Sequence, residues 1–571
     1  MKKFKSLLFL LAFSSTVFAN PDASRTKWLD QGWTKNEREY WHYQSLGQAL
    51  APVSWLKSLE RAQSNSPLME RSYMEGLGFL FEEKNKHNPD GLPIGFAVAP
   101  KGSTIQGHVG LSCSACHTSQ ISYQGKSIRI DGGAANFDIS EFLGEFYNSL
   151  DSTFKNKDKW NRFVDRVQKI ESISDAELNK QIASVLNNVA WGADATNKSP
   201  GTSTQFGPGR ADALNRIGNY VFGQRLLEPS NYHKTNAPAN YPHLWNIWKF
   251  NWVHYNASFS QPMARNILQV LGNNGTTNFI DSTGKPIPGD KKWKTSVDFV
   301  GAAKMEEGIR ALSAPKWPQD LLGAIDQAKV NDGKKLFEQH CSSCHAAHPV
   351  RPPQNLKAEL AAVTVPLAVI GTDPVHAKTY HDRKYDLSKL SGNSTLVSGS
   401  EGLKFGIDAI QHYAYNQLKL SQAEREKLNG FGRPNEIRGP LAYKARTLEG
   451  IWATPPYLHN GSVPNMYELL SPVAERSKQF WTGSYEFDPV KLGYVNTQSN
   501  GNYFLLDTSI VGNSNSGHEF NDGKGPGIIG PKLTHNERLA LIEYLKVLDQ
   551  DPPAPRPAVD LNWEWQSTRK P

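Results

Sequence analysis

The stretch "LSCSACHTSQ", residues 111–120, sets Cys113, Cys116 and His117 in the order Cys-x-x-Cys-His. Alone it reads as a haem attachment site, half of a zinc site or a redox dithiol. The chain has four cysteines, and the other two, Cys341 and Cys344, stand in "QHCSSCHAAH" (339–348) with His345 directly after. Every cysteine therefore belongs to one of two copies of a single motif. A four-cysteine zinc site would use the thiols but gives no reason for a histidine after each pair. Covalent haem c gives that reason: the thiols take the porphyrin vinyl groups as thioethers and the following histidine binds iron. The expectation is two covalently bound haem c groups, attached at Cys113, Cys116, Cys341 and Cys344, with His117 and His345 as metal ligands.

The amino terminus agrees with such chemistry, which is normally carried out outside the cytoplasm. "MKKFKSLLFLLAFSSTVFAN" has a basic start, a short apolar run from Leu7 to Phe13 and small residues before a cut after Ala19, the pattern of a secretory signal peptide over 1–19. That run is too short to span a membrane, and no other stretch approaches about 20 apolar residues. A periplasmic or secreted protein with no membrane span is expected.

The chain of 571 residues is 38% hydrophobic and 11% aromatic, enough to bury a large core. Its formal charge of +8 includes Lys2, Lys3 and Lys5 of the leader, and no basic run is dense enough to argue for nucleic acid. The 46 glycines and 35 prolines point to irregular, loop-rich connections.

Helical spacing of Val330, Lys334 and Phe337 predicts a helix that delivers Cys341. "LTHNERLALIEYLKVLDQDPP" (533–553) predicts an amphipathic helix, capped by Thr534 and Glu537, with Leu541, Tyr544, Leu545 and Leu548 on one face and Pro552 beyond its end. Strand signals are few and short. The expected class is mainly α: two c-type cytochrome domains with long loop-rich insertions, at 20–315 and 316–571, with "ALSAPKWPQD" (311–320) as linker.

What each iron does depends on its sixth ligand, and neither 16 histidines nor six methionines decide that by count. His42, His87, His233 and His412 read as surface or core residues, and a loop histidine such as His108 or His233 remains open as a ligand of the first haem. Trp245, Trp248, Trp252 and Tyr255 recur at spacings of three and four, which core packing explains as well as a place beside haem.

Three segments carry a resemblance. "GLSCSACHTSQISYQGKSIRIDGG" (110–133) resembles the first haem segment, and "TPPYLHNGSVPNMYELL" (454–470) the signature loop, of the di-haem cytochrome c peroxidase and MauG superfamily. "YPHLWNIWKFNWVHYNAS" (241–258) is similar to the segment that carries the aromatic residue between the haems. The long insertion and "NSNSGHEF" (513–520) resemble the branch of rubber oxygenase and the bacterial fatty-acid 10-dioxygenases. That resemblance implies a di-haem peroxidase-like fold, His518 as distal ligand of a bis-histidine carboxyl-domain haem, and an amino-terminal haem open to O2. Tyr255 falls where the family has tryptophan, with Trp252 and His254 beside it as candidate pocket residues. Peroxidases of the family place a carboxylate soon after that tryptophan, and here no Asp or Glu occurs from Asn256 through Asn278. The methionine that ligates their second haem has its nearest counterpart in Met466, only seven residues after His459, which reads as a core residue. The implied activity is O2-dependent dioxygenation of a hydrophobic small-molecule or polymer substrate, a fatty acid or polyisoprenoid, at the first haem. The second haem would relay electrons from a possible small redox protein, and a Ca2+ between the domains is left open. Peroxide reduction, MauG-like oxidation of a protein and simple electron transfer are the alternatives.

Overall fold

The first Cys-x-x-Cys-His segment is a single helical turn, Cys113–Cys116, with His117 at its end and the strand Thr118–Tyr123 directly after. That strand forms a hairpin with Lys126–Asp131 across Gln124 and Gly125, both at positive φ, the geometry a tight two-residue hairpin turn requires. Thr26–Trp28 adds a parallel third strand. Before the turn, His108–Leu111 is the middle strand between Ala51–Pro52 and Phe96–Val98. Gly95 lies behind the turn at φ +90°, where a Cβ would stand 2.3 Å from the Ala115 nitrogen. Only glycine fits there. The helix Lys35–Tyr43, opened by a Thr34/Glu37 capping box, supports the turn from behind: Ser114 Oγ donates to the His42 carbonyl at 2.7 Å.

The second motif is delivered as expected, by a helix Gln327–His340 that leads into Cys341 and a further turn, Ser342–His345. The helix expected near the carboxyl end runs His535–Lys546 with its Thr534/Glu537 capping box in place. The two pack closely: a Cβ on Gly333 would stand 2.0 Å from the Ala540 carbonyl oxygen, and the Phe337 and Tyr544 rings are 5.3 Å apart. Leu541 and Leu545 are buried, each contributing about 1.5–3 kcal/mol by burial.

The computed structural model describes residues 26–281, 283–350, 358–392, 396–497 and 503–548. The expected signal peptide at 1–19 and Pro552 lie outside the described residues. About 41% of the described residues are helical and 15% are strand. Helix outweighs strand, yet the strands are more numerous than their sequence signals suggested, forming two three-stranded and six two-stranded sheets among the described residues. Most are two to four residues long, too short to show a period of two. None of the described helices is long and apolar enough to cross a membrane.

One large apolar cluster runs from Leu29 to Leu548 and draws on both expected domains. A second gathers around the first motif and takes in the inserted helices Ile139–Lys155, Lys157–Gln168 and Asp175–Lys198. Cys113 packs on the first cluster and Cys116 on the second. The segment 311–320, expected as a linker, is largely inside: Ala311, Leu312, Ala314 and Trp317 are buried, and Trp317 meets Trp452 edge-on at 5.1 Å.

Candidate haem-binding site

A single cavity of about 560 Å³ reaches from Cys113, Cys116 and His117 to Cys341, Cys344, His345 and His518. The two motifs, more than two hundred residues apart in sequence, thus open onto one space. Burial pushes the Cys113 thiol up to about 11 and the Cys116 and Cys341 thiols to about 12, so none is a ready thiolate.

At the second motif, Nδ1 of His345 lies 2.7 Å from the Arg446 carbonyl. A carbonyl only accepts, so Nδ1 carries the proton and Nε2 keeps its lone pair for a metal. Opposite stands His518, its ring centre 6.2 Å from that of His345. Two imidazoles sharing one metal through bonds of about 2 Å put their ring centres about 6 Å apart. His518 is held by backbone contacts. Gly517 (φ +68°) leaves no room for a side chain, since its Cβ would stand 2.3 Å from the Ile370 carbonyl oxygen. The Arg476 guanidinium donates to the carbonyls of Gly517 and His518 at 2.9 and 2.8 Å. Burial, then the neighbouring His345, push His518 down to about 3, so the ring is neutral and free to ligate. Its Nδ1 is buried with no hydrogen-bond partner among the described residues, and the residue lines the cavity. Met466 is a buried core residue of the cavity wall.

At the first motif, burial lowers His117 to about 4, again leaving a neutral ring. His243 lines the cavity nearby, close enough for charge on His117 to disfavour its protonation, but among the described residues no imidazole makes a ring contact with His117 as His518 does with His345. His108 and His233 do not line the cavity. His42 is buried between Glu82 (3.0 Å) and Asp131 (3.4 Å), while His412 bonds Asn416 on the surface. The residues present fit haem c at both motifs: thiol pairs and neutral histidines around a shared, largely apolar cavity.

The helix Pro262–Gly272 turns Arg265, Gln269 and Gly272 to the cavity, and the helix Phe299–Arg310 turns Met305, Glu306 and Ile309 to it. Arg265 and Asn266 both donate to Oε1 of Glu306, while Oε2 is buried without a partner among the described residues. A carboxylate in the cavity wall is thus supplied by a helix outside residues 256–278. Its signal in the sequence was a charge on the apolar face of "FVGAAKMEEGIR" (299–310).

The aromatic segment is irregular: one turn of 3-10 helix, Ile247–Lys249, with Asn246, His254 and Ala257 at positive φ. Held in this way by its surroundings, it sends His254 and Tyr255 to the cavity. Trp252 is not in the wall; its ring lies under the Arg438 guanidinium at 3.8 Å. Burial lowers His254 to about 3 and raises Tyr255 to about 12. Sequence reasoning missed His376, Tyr443, Lys444 and Arg446, all in the cavity wall. His459, in the signature segment 454–470, also lies in that wall and stacks on Tyr443 at 3.9 Å. No cluster of three or more His, Cys, Asp or Glu suited to a free metal ion occurs among the described residues, so nothing there identifies a calcium site.

Residues 442–482, which run from the Tyr443 strand through the His459 loop, match the family described as RoxA-like, cytochrome c-like. The y4iJ protein of Sinorhizobium fredii (strain NBRC 101917 / NGR234), itself called uncharacterized, is 36% identical over 580 residues, covering 94% of this chain and 95% of its own length. The y4iM protein of the same organism, also called uncharacterized, is 25% identical over 319 residues, 53% of this chain and 63% of its own length.

Proposed function

This chain belongs to the family of the y4iJ protein and carries a RoxA-like cytochrome c segment, and on that premise we propose that it is a di-haem c-type oxidoreductase with two unequal irons. Cys113, Cys116 and His117 hold one haem; Cys341, Cys344, His345 and His518 hold the other. The observation that carries this reading is the asymmetry of the cavity: His518 faces His345, and among the described residues no such ring faces His117. A haem iron with one side free supplies one-electron chemistry on a small oxygen species. The chain supplies the rest. Burial keeps His254 neutral and Tyr255 protonated, which leaves both as hydrogen-bond donors in a water-poor pocket.

The preferred reaction is O2-dependent dioxygenation of an unsaturated hydrophobic substrate, a fatty acid or polyisoprenoid, with the second haem relaying electrons from a small redox protein. The hydrocarbon substrate rests on the resemblance, since the apolar wall formed by Leu214, Ile217, Leu244 and Val270 lines the same cavity as the haem motifs and suits a porphyrin equally. A periplasmic or secreted location and a division into haem domains at 20–315 and 316–571 complete the proposal. A second reading, peroxide reduction, is favoured by Glu306, a buried carboxylate with one free oxygen that could move a proton.

The test begins with a carbon monoxide titration of the reduced, haem-loaded protein, followed by O2 uptake with oleate or polyisoprene and peroxide consumption with a reductant, each repeated in Glu306→Gln. One carbon monoxide per two haems and substrate-dependent O2 uptake that survives Glu306→Gln support the dioxygenase. Peroxide consumption lost in the variant, without O2 uptake, supports the second reading. If neither haem accepts carbon monoxide, both readings fail and the protein is an electron carrier.

A further inference from the structure

Two cations face the cavity without an ion pair among the described residues, the nearest carboxylate acting on Arg446, that of Glu449, doing so only at longer range. Lys444 and Arg446 stand two residues apart at the end of the strand Ala442–Ala445, a spacing that sends side chains of an extended chain to the same side. Both line the cavity between the two motifs. Lys444 Nζ donates to the Trp252 carbonyl at a long 3.4 Å and lies 4.9 Å from the Phe250 ring centre. Arg446 donates to the carbonyls of His243 and Trp245 at 3.1 and 3.3 Å, and its Nε is buried without a partner among the described residues. Arg265, by contrast, is paired with Glu306. Neighbouring buried cations are retained where an anion joins them, and the guanidinium edge matches a planar carboxylate.

We propose that Lys444 and Arg446 form a carboxylate-binding subsite at the junction of the two motifs. Its ligand is either a propionate of the covalently held porphyrin or the carboxylate of a long-chain amphiphile. This inference rests on the di-haem reading above, and it concerns side chains that reading does not use.

The experiment compares haem-loaded wild type with Lys444→Met, Arg446→Met and the conservative Lys444→Arg, after far-ultraviolet dichroism shows each folded. Midpoint potentials are measured from pH 6 to 8, and oleate and oleyl alcohol are titrated by their effect on the optical spectrum. A propionate ligand predicts that both methionine variants lower one midpoint potential and make it pH-dependent, that Lys444→Arg restores it, and that oleate and oleyl alcohol bind alike throughout. An amphiphile ligand predicts that wild type prefers oleate to oleyl alcohol by at least tenfold, that Lys444→Met and Arg446→Met abolish the preference, and that the potentials stay put. Unchanged potentials together with no preference in wild type overturn the subsite. A pyridine haemochrome assay on the same samples separates the two failures. Wild type without covalent haem refutes the di-haem reading, and the subsite is then judged by the two lipids alone, read through protein fluorescence.

Discussion

Replacing His518 with glycine tests the second centre with little cost to the fold. His518 sits at φ +46°, where an L-residue costs roughly 1–2 kcal/mol and glycine almost nothing. The substitution therefore removes the ring and relieves the backbone together, while Arg476 still holds the carbonyl of residue 518. The 6.2 Å between the rings of His345 and His518 leaves space for one iron bound by both, at about 2 Å to each nitrogen. On the proposed assignment one iron would be closed in this way in wild type and the other open, so the reduced protein is expected to take about one carbon monoxide per two haems. In His518→Gly it takes about two, and the low-spin signal of the oxidised protein falls to near nothing. Free imidazole at millimolar concentration fits the space the ring leaves and restores the low-spin signal of the second haem. The assay is a carbon monoxide titration normalised to haem content, beside spin resonance of the oxidised form. Two carbon monoxide molecules in wild type, or still only one in the variant, would refute the ligand assignment.

The crossing of the helices Gln327–His340 and His535–Lys546 makes Gly333→Ala destabilising, although alanine is the better helix former by about 1 kcal/mol. The added Cβ would stand 2.0 Å from the Ala540 carbonyl oxygen, overpacking that costs about 1–3 kcal/mol. Thermal melting of the haem-loaded variant is expected a few degrees below wild type, and a raised melting temperature would show that the helices do not meet there. Acid should weaken the protein through its buried histidines. His254 and His376 are held near 3 and 4 by burial, against a usual 6.5. The unfolded chain therefore takes up protons as pH falls through 6.5 while the folded protein does not. Stability is full above that pH and declines toward the folded values at about 1.4 kcal/mol per unit and group. Unfolding free energies from guanidinium titrations at pH 7.5 and 5.5 should differ by about 3 kcal/mol from these two groups, and equal values would count against neutral histidines in the cavity.

What could be read in advance was local. The two Cys-x-x-Cys-His copies, the helix before Cys341 and the Thr534/Glu537 capping box each lie within a few residues, and each appears in the structure where spacing placed it. The segment 245–255 was different. Its three-and-four spacing suited a helix or turn, but residues at positive φ break it, and nothing in Asn246, His254 or Ala257 announces a backbone that only long-range packing can hold. Hence Tyr255 and His254 reach the cavity while Trp252 turns to Arg438. An acid near the cavity is not legible from 256–278 because sequence offers neighbours in the chain, whereas the fold offers neighbours in space, and Glu306 comes from the next long helix. The two prolines of 311–320 suggested a linker, but Leu312 and Trp317 carried the opposite message and are buried. Glu306 on an apolar helix face and Lys444 beside Ala442 on a short strand share a trait: each is a charge where its element should be oily. A core has no use for such a residue unless something polar meets it there. Charges out of place on faces that periodicity assigns to the core were therefore the sequence's own marker of the cavity wall, available before any coordinate and independent of the cysteines.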